Sequence, residues 1–192
     1  MINKFLGVQM SIIKFSNNSS LSTAIEKAAS GDTIQLPSGN YVLNEFVIDK
    51  AISIEGISKD NPVIIEGNIL VDSTKCSFLN INFKPKDTKK EVLRIDNEGI
   101  VTLEKCIFDC IPTSQNSISV TNKSCLKISN TRFEKIEKSS IVIYIIDSII
   151  NIIDSLFLNI NGTVVNASGK SSIEINGKFV NIVNRYNQSI EI

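Results

Sequence analysis

Apolar and polar residues alternate along most of the chain in short segments, and five of these segments end on a phenylalanine. Successive phenylalanines are 25, 25, 24 and 22 residues apart, at Phe83, Phe108, Phe133, Phe157 and Phe179. An alternation of period two predicts β-strands, and self-similarity at this spacing is typical of solenoid proteins. The pattern therefore predicts one coil per repeat, with the phenylalanines buried and stacked on one another.

Two further apolar ladders keep the same period. Aliphatic pairs recur every 25 residues, at Leu93 and Ile95, Ile118 and Val120, and Ile143 and Ile145. Isoleucines follow the last four phenylalanines at a distance of three residues, at Ile111, Ile136, Ile160 and Ile182. Equivalent strands of adjacent coils would pair about 4.8 Å apart. We predict an all-β fold, a single-stranded right-handed parallel β-helix of about six to seven coils.

One short segment has helical rather than strand periodicity. Leu21, Ala24, Ile25 and Ala28 follow the i, i+3, i+4, i+7 spacing of an amphipathic helix. Serines and threonines precede it as N-caps, Thr23 and Glu26 have the spacing of a capping box, and Gly31 is placed to end the helix. We predict a single domain over 1–192, with a capping helix at 20–30 and β-coils over 31–192.

Composition narrows the classes of function. Twenty basic and twenty acidic residues cancel, so the chain lacks the basic character expected of a nucleic-acid-binding protein. No uninterrupted apolar run approaches about 18 residues, which predicts no membrane span. The N-terminal segment has no apolar run that suits a signal peptide. We therefore expect a cytoplasmic protein. Export by a route that needs no signal peptide is the alternative.

The four cysteines are Cys76, Cys106, Cys110 and Cys125. Cys76 falls on an apolar column with Val101, Leu126 and Ile150, and Cys106 shares its column with Ile81, Thr131 and Ser155. Buried free cysteines behave as small apolar side chains. A zinc site is disfavoured because the chain has no histidine to complete a mixed ligand set. We predict reduced core thiols, with no metal and no cofactor.

The segment AIEKAASGDTIQLPSGNYVL resembles the opening of right-handed parallel β-helix proteins of the pectin lyase-like group. The matching residues are Ala24, Ala28, Gly31, Asp32, Ile34, Leu36, Pro37, Gly39 and Tyr41. The continuation VIDKAISIEGI resembles the next coil of that group. The resemblance implies that the first helix caps the N-terminal end of the coil stack. It specifies no reaction, because the group contains both polysaccharide-degrading enzymes and proteins without known catalysis.

The enzymatic branches of this group carry motifs that the chain lacks. Polygalacturonase-like hydrolases have a Gly-His motif, and pectin methylesterases have an Asp in a Phe-Ile-Phe-Gly context and a Leu-Gly-Arg segment. Pectate lyases combine an arginine base with calcium-binding aspartates, whereas the arginines here are only Arg94, Arg132 and Arg185. The resemblance thus favours a non-enzymatic member without catalytic residues.

One charged column nevertheless has the composition of a catalytic site. Lys84, Asp109 and Glu134 each follow a ladder phenylalanine directly, so all three side chains should point outward. Asp109 and Glu134 would lie one coil apart, about 5 Å, a separation that suits retaining glycoside hydrolysis or a calcium site. Arg132 lies close to Glu134 in the sequence. The simpler interpretation is a solvated column of offsetting charges, as in other cross-strand pairs.

Two candidate binding regions remain. The lysine run Lys84, Lys86, Lys89 and Lys90 would lie on a protruding turn, where it could bind an acidic partner or a polysaccharide. At the C-terminal end, the strand-like alternation around Ile182 and Val183 continues without any second capping helix. Solenoid ends need a cap, so we expect this end to bind a second copy or another protein.

Taken together, these features favour a non-enzymatic scaffold or protein-interaction module. The alternative is a carbohydrate-active protein, either a polysaccharide lyase or hydrolase or a glycan-binding protein. A structural subunit of a larger assembly, such as a phage spike, is a third interpretation. The scarcity of sugar-stacking side chains weighs against the carbohydrate-active alternative, because the chain has three tyrosines, no tryptophan and no histidine.

Overall fold

A computed structural model describes residues 10–15, 20–58, 61–87, 89–109, 116–136 and 140–182. These residues form a parallel β-solenoid of about six turns with one short helix near its start. The helix is α1 (Leu21–Lys27). The strands are, in chain order, β1 (Ile12–Lys14), β2 (Thr33–Leu36), β3 (Gly39–Ile48), β4 (Ile52–Gly56), β5 (Val63–Asp72), β6 (Lys75–Leu79), β7 (Asn82–Lys84), β8 (Leu93–Asp96), β9 (Ile100–Glu104), β10 (Ile107–Asp109), β11 (Ile118–Val120), β12 (Cys125–Ser129), β13 (Arg132–Glu134), β14 (Ser140–Ile146), β15 (Ile149–Ile160), β16 (Gly162–Ser168) and β17 (Ser172–Ile182).

The strands form three parallel faces along the solenoid, and each strand pairs with its equivalent in the next coil. Sheet I contains β1, β2, β4, β6, β9, β12 and the first halves of β15 and β17. Sheet II contains the first halves of β3 and β5, then β7, β10, β13 and the second halves of β15 and β17. Sheet III contains the second halves of β3 and β5, then β8, β11, β14 and β16. The predicted parallel β-solenoid is confirmed.

The phenylalanine ladder lies on the inner side of sheet II. Its rings stack with centroid separations of 4.8, 5.0, 4.9 and 5.1 Å from Phe83 through Phe108, Phe133 and Phe157 to Phe179. The first four rings are fully buried, whereas Phe179, on the last described strand, is 48% exposed. Parallel in-register pairing places equivalent side chains one above another. The predicted burial and stacking of Phe108, Phe133 and Phe157 are therefore confirmed.

Aliphatic ladders fill the inner sides of the other two sheets. In sheet I, Ile54 pairs in register with Phe78, and the column continues through Leu103, Ile128 and Ile152. In sheet III, the predicted aliphatic pairs are in register, with Leu93 beside Ile118 and Ile118 beside Ile143. All of these side chains are buried, and burial of apolar surface on this scale is the main stabilising contribution to the fold.

The helix is shorter than the predicted 20–30 segment and is capped differently. Ser20 is the N-cap, and its hydroxyl accepts a hydrogen bond from the Thr23 amide at 3.1 Å. The capping box expected from Thr23 and Glu26 is therefore wrong. The helix ends with Ala28 in an extended conformation, so Gly31 does not terminate it and instead adopts φ of +98° in the following turn. The buried face of α1 packs against β3.

Left-handed residues form the corner between sheets I and II. Asn80, Lys105, Asn130 and Asp154 occupy this corner in successive coils, with φ of 56°, 51°, 48° and 49°. Asn and Asp tolerate this region better than most side chains because they bond locally to the backbone. Asn80 also bonds to the preceding coil, because its Nδ2 donates to the carbonyl of Gly56 at 2.9 Å. These four residues therefore share one turn position in successive coils.

Three of the four cysteines lie in the described residues, and all three are free thiols. Cys76 and Cys106 are buried in the predicted columns. Cys125 is different, because its side chain is on the outer side of sheet I, between Ile100 and Ile149, and is only half-buried. The prediction of a core position is thus wrong for Cys125, and Cys110 lies outside the described residues.

Candidate functional site

A column of charged side chains lies on the outer side of sheet II. Parallel pairing of β10 with β13 places Asp109 beside Glu134. Pairing of Phe83 with Phe108 continues the same column to Lys84. The predicted column therefore exists, and it lies immediately outside the phenylalanine ladder. Its position is set by the alternation along each strand, because the residue after an inward phenylalanine must face outward.

Two cations join the carboxylates of this column into one network. Lys135 places Nζ 3.5 Å from Asp109 Oδ1 and 3.9 Å from Glu134 Oε1. Arg132 forms an ion pair through its guanidinium with Glu134 Oε2. Lys135 reaches both carboxylates from a left-handed position directly after β13, with φ of 53°. We call these four residues, Asp109, Arg132, Glu134 and Lys135, the charged network.

The charged network is not the uniformly solvated column expected from the sequence. The side chains of Asp109 and Glu134 are only 22% and 11% exposed, whereas those of Arg132 and Lys135 are 46% and 56% exposed. The carboxylates therefore form the floor and the cations form the rim. The Oδ1 atom of Asp109 is shielded from solvent and accepts no hydrogen bond among the described residues. A ligand approaching this face meets positive charge first.

This arrangement suits recognition of an anion. A guanidinium has five donors, and one carboxylate cannot engage all of them, so Arg132 keeps donors for a ligand. Charge-assisted hydrogen bonds of this kind are among the stronger polar contacts in proteins. In the described part of the chain, no three acidic or cysteine side chains converge in a way that would hold a metal ion.

The predicted lysine run is divided between different contacts. Lys84 is half-buried in the column of the charged network. Lys86 lies 3.7 Å from Glu66, and Lys90 donates to Glu45 at 2.5 Å. This bond to Glu45 raises the pKa of Lys90. Lys89 is exposed. The run thus does not converge on one site, and only Lys84 extends the positive rim.

The predicted C-terminal site falls at the limit of the described chain. Ile182 is the last residue of β17, is half-buried, and pairs in register with Ile160. Val183 lies outside the described residues. Binding at this end stays a prediction.

A second polar centre, which the sequence pattern did not predict, lies at the corner between sheets III and I. Asp96 is 8% exposed and accepts hydrogen bonds from Thr121 Oγ1 at 2.9 Å and Asn122 Nδ2 at 2.6 Å. It also accepts bonds from the Asn97 amide and from Arg94. Burial opposes ionisation, but these bonds outweigh it and hold the pKa of Asp96 below its usual range. The recurrence of Asp72 and Asp96 at 24 residues was the available signal.

An open groove of about 800 Å³ runs along this corner. Asn97, Asn122, Asp147 and Lys170 are among the residues that line it. Their polar groups mostly bond to the neighbouring coil: Asn97 donates to Asp72 at 2.7 Å, and Asp147 accepts from the Lys170 amide at 2.7 Å. These bonds hold the turns of adjacent coils in register. The groove is therefore a consequence of how the corners stack.

Comparison with protein families and curated proteins identifies no relative, because no family model and no curated sequence matches the chain. Solved structures do match. The chain is similar to a PL6 family alginate lyase, AlyGC, with a TM-score of 0.51 and 11% identity over 95% of this chain. It spans only 38% of that lyase. At this identity the likeness concerns the fold, and it establishes the same parallel β-helix architecture.

Two further structures give lower scores. A candidate glycosyl hydrolase from Parabacteroides merdae aligns with a TM-score of 0.46 and 13% identity, over 85% of this chain and 86% of its own. An alginate lyase from Paenibacillus sp. aligns with a TM-score of 0.38 and 13% identity, over 91% of this chain and 98% of its own.

The structure also bears on the membrane question. No helix in the described ranges is long and apolar enough to cross a bilayer.

Proposed function

We propose that the protein is carbohydrate-active and binds an acidic polysaccharide on the outer face of sheet II, at the charged network. The observation that carries the proposal is the division of exposure within that network. The exposed cations Arg132 and Lys135 stand over carboxylates that are mostly buried. The polysaccharide class is suggested by the alginate lyase that shares the fold.

Each side chain has a distinct role in this proposal. Arg132 offers its remaining guanidinium donors to a uronate carboxylate, and Lys135, three residues later in the sequence, adds a second positive charge. Glu134 and Asp109 hold these two cations in place through the ion pairs at 3.5 and 3.9 Å and the Arg132 contact. Lys84 extends the positive rim toward the preceding coil.

Cleavage would follow from the same contacts. Neutralising a uronate carboxylate makes the proton on the adjacent carbon easier to remove, which is the first requirement for β-elimination. In this step Asp109 or Glu134 would take that proton, the C–H electron pair would form a C=C bond, and the glycosidic C–O bond would break, with the departing oxygen protonated by solvent. An assay for cleavage therefore accompanies the assay for binding.

Binding is tested by affinity electrophoresis, in which migration of the protein is measured in gels that contain alginate, polygalacturonate or neutral dextran. Cleavage is tested by the ultraviolet absorbance of unsaturated uronate products. We expect retardation by an acidic glycan and none by dextran. Arg132→Gln and Lys135→Gln should each weaken binding by about tenfold or more, the effect of losing one charge-assisted contact. Turnover lost in the same variants would make the protein a lyase.

The matched control is Lys123→Gln. Lys123 is also an exposed lysine with a carboxylate partner, Glu98 at 3.9 Å, but it lies at the corner between sheets III and I. Its substitution should leave retardation unchanged. Equal loss in all three variants would mean that binding follows net charge alone, and no retardation by either acidic glycan would refute the proposal.

A protein-interaction role is the second candidate. Ile149 and Ile153 project from the outer side of sheet I and are 53% and 45% exposed. Ile149 is in register with the half-buried Cys125, which is in register with the half-buried Ile100 of the preceding coil. Exposed apolar side chains grouped on a flat sheet are typical of interaction surfaces. Pull-down by an Ile149→Asp variant compared with the wild-type chain would test this role.

A further inference from the structure

The last described strand leaves one of its edges without a partner in the described chain. β17 pairs with β15 over both halves of its length, from Ser172 to Ile182. Its other edge faces along the solenoid axis, away from the stack. An edge of eleven residues exposes backbone N–H and C=O groups that can pair with another strand, and natural proteins normally cover such edges.

Among the described residues, none covers the apolar core at the same end. Phe179 is 48% exposed, whereas Phe157, one coil below it, is fully buried. Ile173 and Ile175 are half-buried, although their register partners Ile150 and Ile152 are fully buried. The exposed surface of these side chains faces the direction in which the next coil would lie. A covering strand would need apolar residues on the same side as Ile173, Ile175 and Phe179.

We propose that β17 pairs with β17 of a second copy of this chain, antiparallel about a two-fold axis at Asn176. Such an axis places Glu174 opposite Lys178, Ile173 opposite Phe179, and Ile175 opposite Gly177. The two-fold symmetry repeats each contact, as it does in any isologous dimer. The end of one solenoid thereby becomes the cap of the other.

The distribution of core-facing and solvent-facing residues along β17 is compatible with this register. Exposure alternates along β17, with Ile173 and Ile175 facing the core and Glu174 and Lys178 facing solvent. Pairing about Asn176 keeps the core side of Ile173, Ile175, Gly177 and Phe179 opposite the same four positions of the second copy, because partners differ by an even number of positions. The phenylalanine ladder is then continued by an isoleucine of the second copy.

Charge distinguishes this register from its neighbours. An axis one residue earlier would place Glu174 opposite Asn176, and an axis one residue later would place it opposite Val180. Only the axis at Asn176 pairs Glu174 with a cation. Both side chains are exposed, and Glu174 contacts Asn151 through Oε2 alone, at 2.6 Å. Opposite charges directly across an antiparallel pair are stabilising, and like charges are destabilising.

The bend of β17 is also compatible with a two-fold axis at Asn176. Its first half belongs to sheet I and its second half to sheet II, with the corner at Asn176 and Gly177. An axis through this corner lays the sheet I half of one copy over the sheet II half of the other. The absence of a side chain on Gly177 leaves room for Ile175 of the second copy at the most crowded point of the interface.

A charge-swap experiment on the full-length chain tests the proposal. Sedimentation equilibrium should find a dimer for the wild-type chain. Glu174→Lys and Lys178→Glu each create two like-charge pairs, so each should weaken the dimer by about tenfold or more. The double variant Glu174→Lys/Lys178→Glu restores opposite charges and should restore the dimer. Circular dichroism and thermal melting check that each variant is folded.

The control pair is Glu98 and Lys123, an exposed ion pair of 3.9 Å on the side of the solenoid. Glu98→Lys and Lys123→Glu should leave the dimer unchanged. A wild-type chain that is monomeric at all concentrations would overturn the proposal, and would leave residues 183–192 or a different protein as the occupant of the edge. A dimer that both single reversals leave intact would equally overturn it.

Discussion

Burial separates the cysteines into two kinds. Desolvation raises the pKa of the Cys76 thiol far above its usual range and raises that of Cys106 to about 12. Both are therefore protonated and inaccessible near neutral pH, and a thiol reacts only as its thiolate. Cys125 lies on the outer side of sheet I and is only half-buried. Its neighbours there are Ile100 and Ile149.

We predict that iodoacetamide labels Cys125 in the native protein at least about tenfold faster than Cys76 or Cys106, because Cys125 is half-buried whereas the other two described thiols are buried. Peptide mass spectrometry, which reads each cysteine separately, is the measurement. Labelling in denaturant provides the control, since all sites should then react at similar rates. Fast native labelling of Cys76 would contradict the burial that the fold assigns to it.

At the scale of elements, the stacked phenylalanines hold adjacent coils in register. Phe133 lies between Phe108 and Phe157, with ring centroids 5.0 and 4.9 Å away and interplanar angles of 16° and 5°. The Phe133 ring thus stacks on one neighbouring ring on each side. Aromatic pairs contribute about 0.5–1.5 kcal/mol beyond the burial of apolar area. The middle of the ladder therefore stabilises the fold more than its exposed end.

We predict that Phe133→Ala lowers the free energy of unfolding by about 3–5 kcal/mol, the usual range for a buried aromatic side chain. Phe179→Ala is the matched control, because this ring has one stacking partner and is 48% exposed. Its cost should be clearly smaller. Urea unfolding followed by circular dichroism measures both. Equal costs at the two positions would argue against the ladder as the main link between coils.

On the scale of the whole molecule, two buried carboxylates connect separate parts of the solenoid. Asp32 is 4% exposed and accepts bonds from the Ser11 hydroxyl at 2.7 Å, the Ala29 amide at 2.8 Å and the Ser11 amide at 3.0 Å. These bonds hold the pKa of Asp32 below its usual range. They tie β1 to the segment that follows α1. Asp96 plays the equivalent part between β8 and the turn after β11.

These lowered pKa values determine the direction of the pH dependence. A carboxyl whose folded pKa lies below its unfolded value of about 3.9 contributes full stability above that value. The contribution is lost as pH falls toward the folded pKa. We predict that the melting temperature declines below about pH 4, and that the decline is shallower in Asp32→Asn and Asp96→Asn. Melting curves between about pH 2 and 7 are the measurement.

The variants themselves should melt at lower temperature than the wild-type chain near neutral pH, because an amide accepts fewer and weaker hydrogen bonds than a carboxylate. Asp72→Asn serves as the control, since the Asp72 side chain meets only the exposed Ser73 and Asn97 side chains. A decline of the same slope in all three variants would show that general charge repulsion, rather than these two residues, governs acid unfolding.

Repetition made the architecture predictable. The recurrence of Phe83, Phe108, Phe133 and Phe157 is a one-dimensional signal, and parallel pairing converts it directly into a stack, because each coil contacts only its neighbours. The turn position that Asn80 and Asn130 share recurs in the structure for the same reason. The period of the sequence therefore predicts the core, the sheets and the corners of the solenoid.

Local signals were less complete. The helix was found, but its N-cap is Ser20 and not Thr23, because several hydroxyl side chains in a row can each cap and only packing of Leu21 and Ile25 selects the frame. The outer position of Cys125 was missed because it is the first residue of β12. At the ends of short strands, alternation has no preceding residue on which to rest.

What the sequence determined by itself was the set of columns, since a repeat of fixed length assigns each residue to one. What only the tertiary structure decided was the environment within a column. Glu134 and Lys84 share an outer column, yet Glu134 is 9% exposed and lies beneath Arg132 and Lys135. That burial depends on which long side chains from neighbouring positions fold over the column. Rotamers and ion pairs of this kind are set by contacts in three dimensions, on which the period of the sequence carries no information.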